Sequence, residues 1–419
     1  MLHKLLAIHR ASQSRLRYTH FLTILVIYVG LGFHVGVWAV LLADLTNALK
    51  LSPALLGIAL ASQSGSGILL LASGSFLADR FSRRLILLLG PGGLCLYFGA
   101  LSLVSNYPLL CLVMLIGGLC TSCYDLAANT LGGDYERLYA HKTMTLFHAG
   151  FSAGAALGAL ASALALTLGM NFRSIYLATG IIFALLTVAA CCFPLPTLSH
   201  KKPMAINQQH KPISSPSTIA LLCTPLVALA ISLVCLAFFT DGAIEGYSSL
   251  YLRNLLGSGA LLGGIGIAIF HFTGLLGRLV STALLRNYGE RLVITVSGLC
   301  AGTGLLLALS TTNSLLAVSG LLLVGLGQSP VVPTAFSLAA QSGSQQGARA
   351  VALVTALGYS VFLISPLLIG TLATFFSLRL ALVLTIVTSI GIVLVARKLP
   401  PSRRFQAQII DNDGEDITC

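Results

Sequence analysis

The 419-residue sequence predicts an all-α membrane protein of twelve transmembrane helices in two six-helix bundles. Three observations predict it. Hydrophobic residues make up 56% of the chain and charged residues 9%, whereas a water-soluble chain carries about 25% charged residues. Apolar runs long enough to cross a bilayer, roughly 20 residues each, recur along its length, and the strands of an outer-membrane barrel would instead alternate in runs of about ten. Finally, the basic residues fall almost entirely on one side of the spans so drawn.

In order, the spans are 20–43, 53–77, 84–104, 108–131, 142–169 and 172–194, then 218–252, 258–285, 291–310, 313–340, 347–371 and 376–397. The first is a full span with no small-residue cleavage site evident after it, so a retained anchor is expected. The fifth carries Gly150, Gly154 and Gly158 at every fourth position, a face that lets helix backbones approach. Residues 195–217, LPTLSHKKPMAINQQHKPISSPS, are polar and basic and divide the spans six and six. The expected organisation is an N-terminal bundle over 1–194, a cytoplasmic linker over 195–217, a C-terminal bundle over 218–397 and a disordered cytoplasmic tail over 398–419. The tenth span is interrupted by Gln328, Ser329, Pro330 and Pro333, which free backbone carbonyls for ligands.

The chain has 24 Lys and Arg and a net charge of +12. With twelve spans, only Lys50, Arg173, Arg253 and Arg379 fall opposite the termini; the other twenty, including Arg278, Arg286 and Arg291 of the 8–9 region, share their side. By the positive-inside rule both termini are cytoplasmic. The positive charge is thus explained by topology, with the lipid bilayer rather than nucleic acid as partner. Of ten cysteines nine lie inside apolar spans, and Cys120 with Cys123 reads as small packing residues rather than a redox or metal pair. No phosphate loop with its lysine, HExxH or GxSxG is present, so neither an enzyme nor ATP drive is expected, and no cofactor or metal.

Ionisable groups at bilayer depth are costly unless they face a partner or a cavity. Three acids lie inside spans: Asp125, Asp241 and Glu245. Asp125 and Asn129 share a helix face, and His148 lies at a similar depth on the next span, so an Asp125–His148 pair is expected, either fixing helix packing or taking part in proton coupling or gating. Asp241 and Glu245, also four apart, form a protonatable pair, unless Glu245 reaches the outer interface near Arg253. His34, Trp38, Asn129, His271 and Gln328 are candidates to line a substrate cavity. A lone buried histidine is more often a hydrogen-bonded core residue, and Trp38 also suits an interfacial aromatic belt.

Between spans 2 and 3 the chain reads GSFLADRFSRR, residues 74–84. This resembles the loop signature of the major facilitator superfamily, with Gly74, Ala78, Asp79, Arg80, Arg83 and Arg84 matching and Ser82 in place of the usual glycine. The resemblance implies the major facilitator fold, with Asp79 and the arginines as a charge cluster at the cytoplasmic rim. A degenerate second copy, GRLVSTALLRNYGERL, follows span 8 with Gly277, Arg278, Arg286, Gly289 and Arg291 retained. The segments DLAANTLGGDYE, LFHAGFSAGAALGA, FFTDGAIEGYSSLYL and ALGYSVFLISPLLIG are similar to the YbjJ/MosC-like branch, although Gly246 rather than an acid precedes Tyr247. The expected function is secondary active transport of a small polar solute across a bacterial inner membrane by alternating access, coupled to protons, by a monomer. Proton-driven efflux of amphipathic compounds, or a sensor or assembly partner that moves nothing, are the alternatives.

Overall fold

In the computed structural model, residues 2–73, 80–196, 218–342 and 346–400 are described, and among them the chain is nearly all helix with no strand. It divides into two compact units, one built chiefly from residues 1–51 and 58–215, the other chiefly from 216–258 and 265–419. Much of the 195–217 linker, the 401–419 part of the tail, and Gly74 and Asp79 of the loop signature lie outside the described residues.

The first unit holds α1 (Leu2–Ala48), α2 (Pro53–Ala72), α3 (Arg83–Leu103), α4 (Tyr107–Tyr139), α5 (Met144–Thr167) and α6 (Phe172–Cys192). The second opens with a short helix, Thr218–Leu222, and then α7 (Pro225–Leu250), which continues as one π-helical turn, Tyr251–Leu255. Next comes Ala260–Ser310, 51 residues long; at 1.5 Å per residue a straight helix of that length would span about 76 Å, more than twice a bilayer core. It is not one helix. Gly289 has φ 77° and ψ 164°, a conformation that glycine adopts far more readily than any residue with a Cβ, and it separates α8 (260–288) from α9 (290–310). The spans drawn from the sequence leave residues 286–290 between them, and the structure turns the chain within that stretch, at one residue. The eleven helical stretches long and apolar enough to cross a membrane among the described residues therefore supply twelve spans, completed by α10 (Ser314–Gln328 and Val331–Ala340), α11 (Gln346–Phe375) and α12 (Leu378–Ala396). Large apolar side chains stay exposed on their outer faces, Leu69, Leu96 and Leu185 among them, as befits helices with lipid for solvent.

The two units repeat one packing scheme with a shift of six helices. In the first, α1 packs on α5, and α3 on both α4 and α6; in the second, α7 packs on α11, and α9 meets α10 through Cys300 and α12 through Gly298, which faces Ser389. Ser66 of α2 donates to the Leu115 carbonyl of α4 at 2.7 Å, and six helices later Thr273 of α8 donates to the Leu322 carbonyl of α10 at 3.0 Å. Arg173, opening α6, donates to the Ser102 carbonyl at the end of α3, while Arg379, opening α12, donates to the Thr311 carbonyl beyond α9. Two of the four arginine and lysine residues that the charge map sets apart thus satisfy orphan carbonyls at helix ends. Such correspondence, contact for contact, is the mark of an internal repeat.

Close helix approach depends on glycine where α1 crosses α5. A Cβ on Gly154 would overlap the Val29 carbonyl, and one on Gly158 the Phe33 carbonyl, so the expected glycine face of span 5 is the contact face. In the second unit polar side chains join the helices: Thr240 and Thr388 hydroxyls lie 2.7 Å apart, Ser365 donates to the Phe239 carbonyl, and the buried Tyr247 hydroxyl donates to the Pro366 carbonyl at 2.8 Å.

The charge map yields a direct topological expectation. In a cysteine-free background, Lys142→Cys should react with a membrane-impermeant maleimide only from the cytoplasm, and Arg379→Cys only from the opposite face. The reverse pattern would overturn the assigned orientation.

Candidate functional site

Helix α7 carries Asp241 and Glu245 one turn apart, hence on one face. Helix α8 supplies His271, whose Nε2 lies 3.7 Å from Glu245 Oε1, within ion-pair range though beyond hydrogen-bond length. Seven residues on, and so on the same face of α8, stands Arg278, within electrostatic range of Asp241, Glu245 and His271. Charge and spacing of this residue were legible in the sequence, yet it was counted as a topological cation of the 8–9 region and as part of the degenerate second loop copy, not with the buried acids. The structure places it inside α8, close enough to both acids for its charge to act on them. Glu245 Oε1 thus faces His271 Nε2 across the two helices.

Two carboxylates face one permanent cation here. With both acids ionised and His271 neutral the cluster carries one net negative charge; a single proton on either acid or on His271 makes it neutral. A net charge at this depth costs several kcal/mol, so the arrangement is suited to holding and exchanging one proton. Asp241 Oδ1 is buried with no hydrogen-bond partner, an unsatisfied acceptor of the kind found at working sites rather than in settled cores.

In the first unit the centre is Tyr28, fully buried on α1. Its hydroxyl donates to Asn129 Oδ1 at 3.0 Å, and Asn129 Nδ2 donates to Asp125 Oδ1 at 2.8 Å. The Tyr28 ring meets His148 edge-on with centroids 5.2 Å apart and stacks on Phe147. Asp125 and His148 are thus gathered around one tyrosine from three helices, α1, α4 and α5. Both residues of the expected pair lie around Tyr28, which the sequence reading missed because a tyrosine in an apolar run gives no charge signal. Tyr28→Phe removes one buried donor and should cost about 1–2 kcal/mol of stability and slow transport, whereas Tyr176→Phe, fully buried with a hydroxyl that has no hydrogen-bond partner, should leave transport near wild type. Equal rates in the two variants would contradict a role for Tyr28.

At the rim, Arg83 Nε donates to Asp134 Oδ2 at 3.1 Å, with Arg137 4.0 Å from the same carboxylate, and Arg84 reaches the Phe193 carbonyl. Asp134 was passed over because span 4 was ended at residue 131; α4 runs on to Tyr139 and buries this acid to 3% exposure. Glu136 likewise accepts from the backbone N–H groups of Thr143 and Met144, fixing the start of α5. Ser82, the departure from the loop signature, caps α3 by accepting from Leu85 N, which gives the substitution a structural use. Arg80 is present at the edge of the described segment. Exchanging the charges, Arg83→Asp with Asp134→Arg, should recover much of the transport that either single change removes; no recovery would show the pair to be incidental.

His34 is 3% exposed and edge-on to Phe183, inside an aromatic stack of Phe183 and Phe98. Trp38 is partly buried one turn on. The ring atoms His34 Nδ1 and Trp38 Nε1, and both polar atoms of Gln328, are buried without a hydrogen-bond partner. Gln328 ends the first half of α10, where the chain breaks at Ser329 and Pro330. Cys120 packs against Gly93 of α3, and the cysteines at 120 and 123 are both free thiols.

The family model described as Major Facilitator Superfamily matches residues 21–348. An uncharacterized MFS-type transporter of Yersinia pestis is 27% identical over 352 residues, covering 84% of this chain and 88% of its own. Membrane protein MosC of Rhizobium meliloti is 27% identical over 375 residues, 86% and 85% of the two chains. Among solved structures, a bacterial homolog of the human lysosomal transporter Spinster, inward-facing and occupied, superposes with a TM-score of 0.73 at 14% identity over 90% of this chain and 96% of that one. The nucleoside transporter NupG does so at 0.68, again with 14% identity, over 90% and 99%. A match over most of the chain, on a fold of twelve spanning helices, makes this protein a member of the major facilitator superfamily, with MosC among its relatives.

Proposed function

We propose that the protein is a proton-coupled secondary transporter that moves a small polar solute across the bacterial inner membrane by alternating access. The single observation that carries this reading is the α7–α8 cluster, in which Asp241, Glu245 and His271 share the field of one cation, Arg278. A cluster that is neutral with one proton and charged without it can couple protonation to a conformational change, since the state that opens it to water tolerates the charge and the closed state does not. Loading the proton from one side and releasing it to the other converts a pH gradient into solute accumulation. In the other unit, the Tyr28–Asn129–Asp125–His148 cluster supplies polar groups fit for hydrogen-bonding a neutral solute.

Purified protein in liposomes, screened with radiolabelled polar solutes under an imposed pH gradient and without one, tests the proposal. Gradient-dependent accumulation of at least one solute supports it. Flux indifferent to the gradient would remove proton coupling, and binding without flux would point to a sensor.

A further inference from the structure

The second unit has a lateral opening that the transport reading does not use. Helices α8 and α9 are joined at the turn of Gly289. On α8, Leu276, Val280, Leu284 and Tyr288 follow one another at every fourth position, and on α9, Leu292 and Val296 do the same; all six are exposed apolar or aromatic side chains. These two stripes bound a crevice of about 470 Å³, whose walls also include Ser297 and Cys300, and α10 lines it at Leu326, Gly327, Ser329 and Pro330. The break in α10 places turn backbone and a proline ring there, without the bulky side chains that would otherwise fill the space. Its volume falls within the roughly 300–1,000 Å³ of small-molecule sites, but its surface is almost wholly apolar, which suits a hydrocarbon chain and not a free polar solute.

Charge marks one end. Arg286 precedes Tyr288 by two residues and Arg291 precedes Leu292 by one; both are exposed, with the half-buried Glu290 between them. Tyr288, 57% exposed, is the amphipathic ring that settles at a headgroup boundary. A ligand with an anionic head and an apolar tail matches this gradient from guanidinium through phenol to Leu and Val. We propose that the α8–α10 crevice is a specific site for an anionic phospholipid of the cytoplasmic leaflet, one acyl chain lying between the α8 and α9 stripes and the phosphate held by Arg286 and Arg291. Basic pockets between spanning helices on the cytoplasmic side are recognised places for such headgroups. A lipid seated there would wedge α8 against α9, and α8 carries His271 and Arg278.

The test compares phosphatidylglycerol with phosphatidylcholine on the full-length protein by native mass spectrometry after delipidation. Wild type should retain phosphatidylglycerol preferentially. Arg286→Gln and Arg291→Gln should each weaken that retention by about fivefold, and Ser297→Phe, which fills the crevice, should reduce binding of both lipids. Independently of any variant, phosphatidylglycerol with a diazirine on its acyl chain should label the 326–330 segment more heavily than lipid-facing positions of α3 around Leu96. Equal retention of the two lipids, or labelling of 326–330 no richer than that around Leu96, would overturn the proposal and leave ordinary boundary lipid.

Discussion

Glu245→Gln is expected to abolish pH-gradient-driven accumulation while solute exchange between the two faces continues. The glutamine is a permanent mimic of the neutral carboxyl, so the cluster stays at net zero with Asp241 against Arg278 and can pass through the closed state at any pH. What it loses is the ability to release a proton. For one proton per solute, a gradient of one pH unit supports about tenfold accumulation, since one unit corresponds to about 1.4 kcal/mol; the variant should accumulate nothing beyond equilibration. Asp241→Asn is expected to behave alike if the proton is shared across the pair, and Asp125→Asn to keep gradient-driven accumulation if the first-unit cluster binds solute. Vesicle accumulation and counterflow, measured on the same preparations, separate these outcomes. Continued concentration of solute by Glu245→Gln and Asp241→Asn alike would remove the cluster from coupling and return attention to Asp125 and His148.

Arg278→Gln should be the most damaging single change in the molecule. It leaves Asp241 and Glu245 facing each other and His271 with no permanent cation, and removing one partner from a buried charge cluster costs about 3–5 kcal/mol. Loss of folded protein on purification, or a sharply lowered thermal midpoint, is the expected result. The controlling experiment is the double variant Arg278→Gln with Asp241→Asn, which again balances the cluster with a single proton on Glu245; it should recover most of the lost stability. Lys142→Gln, exposed and in the other unit, should leave the midpoint unchanged. If the double variant is no more stable than Arg278→Gln alone, the arginine serves packing and not charge balance.

The fold was legible because bilayer physics writes it plainly: apolar runs of spanning length, a polar break near the middle, and arginines and lysines on one side. The glycines of span 5 could be read as a contact face because small residues at every fourth position have little other use in an apolar helix. Less visible was where helices end. Asp134 escaped notice because α4 continues two turns past residue 131, where the span was ended, and residues 286–290 were left between spans although Gly289 alone makes the turn. The candidate acids Asp241 and Glu245 stood out as the rare charges within a span, but Arg278 did not, since a basic residue near a cytoplasmic end has an ordinary topological explanation. Only the approach of Glu245 on α7 to His271 on α8 draws attention to this face of α8. Tyr28 shows the limit from the other side: its role comes from reaching Asn129, 101 positions away, and no local pattern encodes that.

The most direct test of the α7–α8 cluster as the proton site needs no substrate. Infrared difference spectroscopy of the protein in lipid, stepped between acidic and alkaline buffer, reports protonated carboxyl groups through their C=O stretch. The account predicts a reversible carboxyl band in wild type that is lost or displaced in Glu245→Gln and in Asp241→Asn and retained in Asp134→Asn. A wild-type spectrum with no such band, or one that both cluster variants leave unchanged, would contradict it.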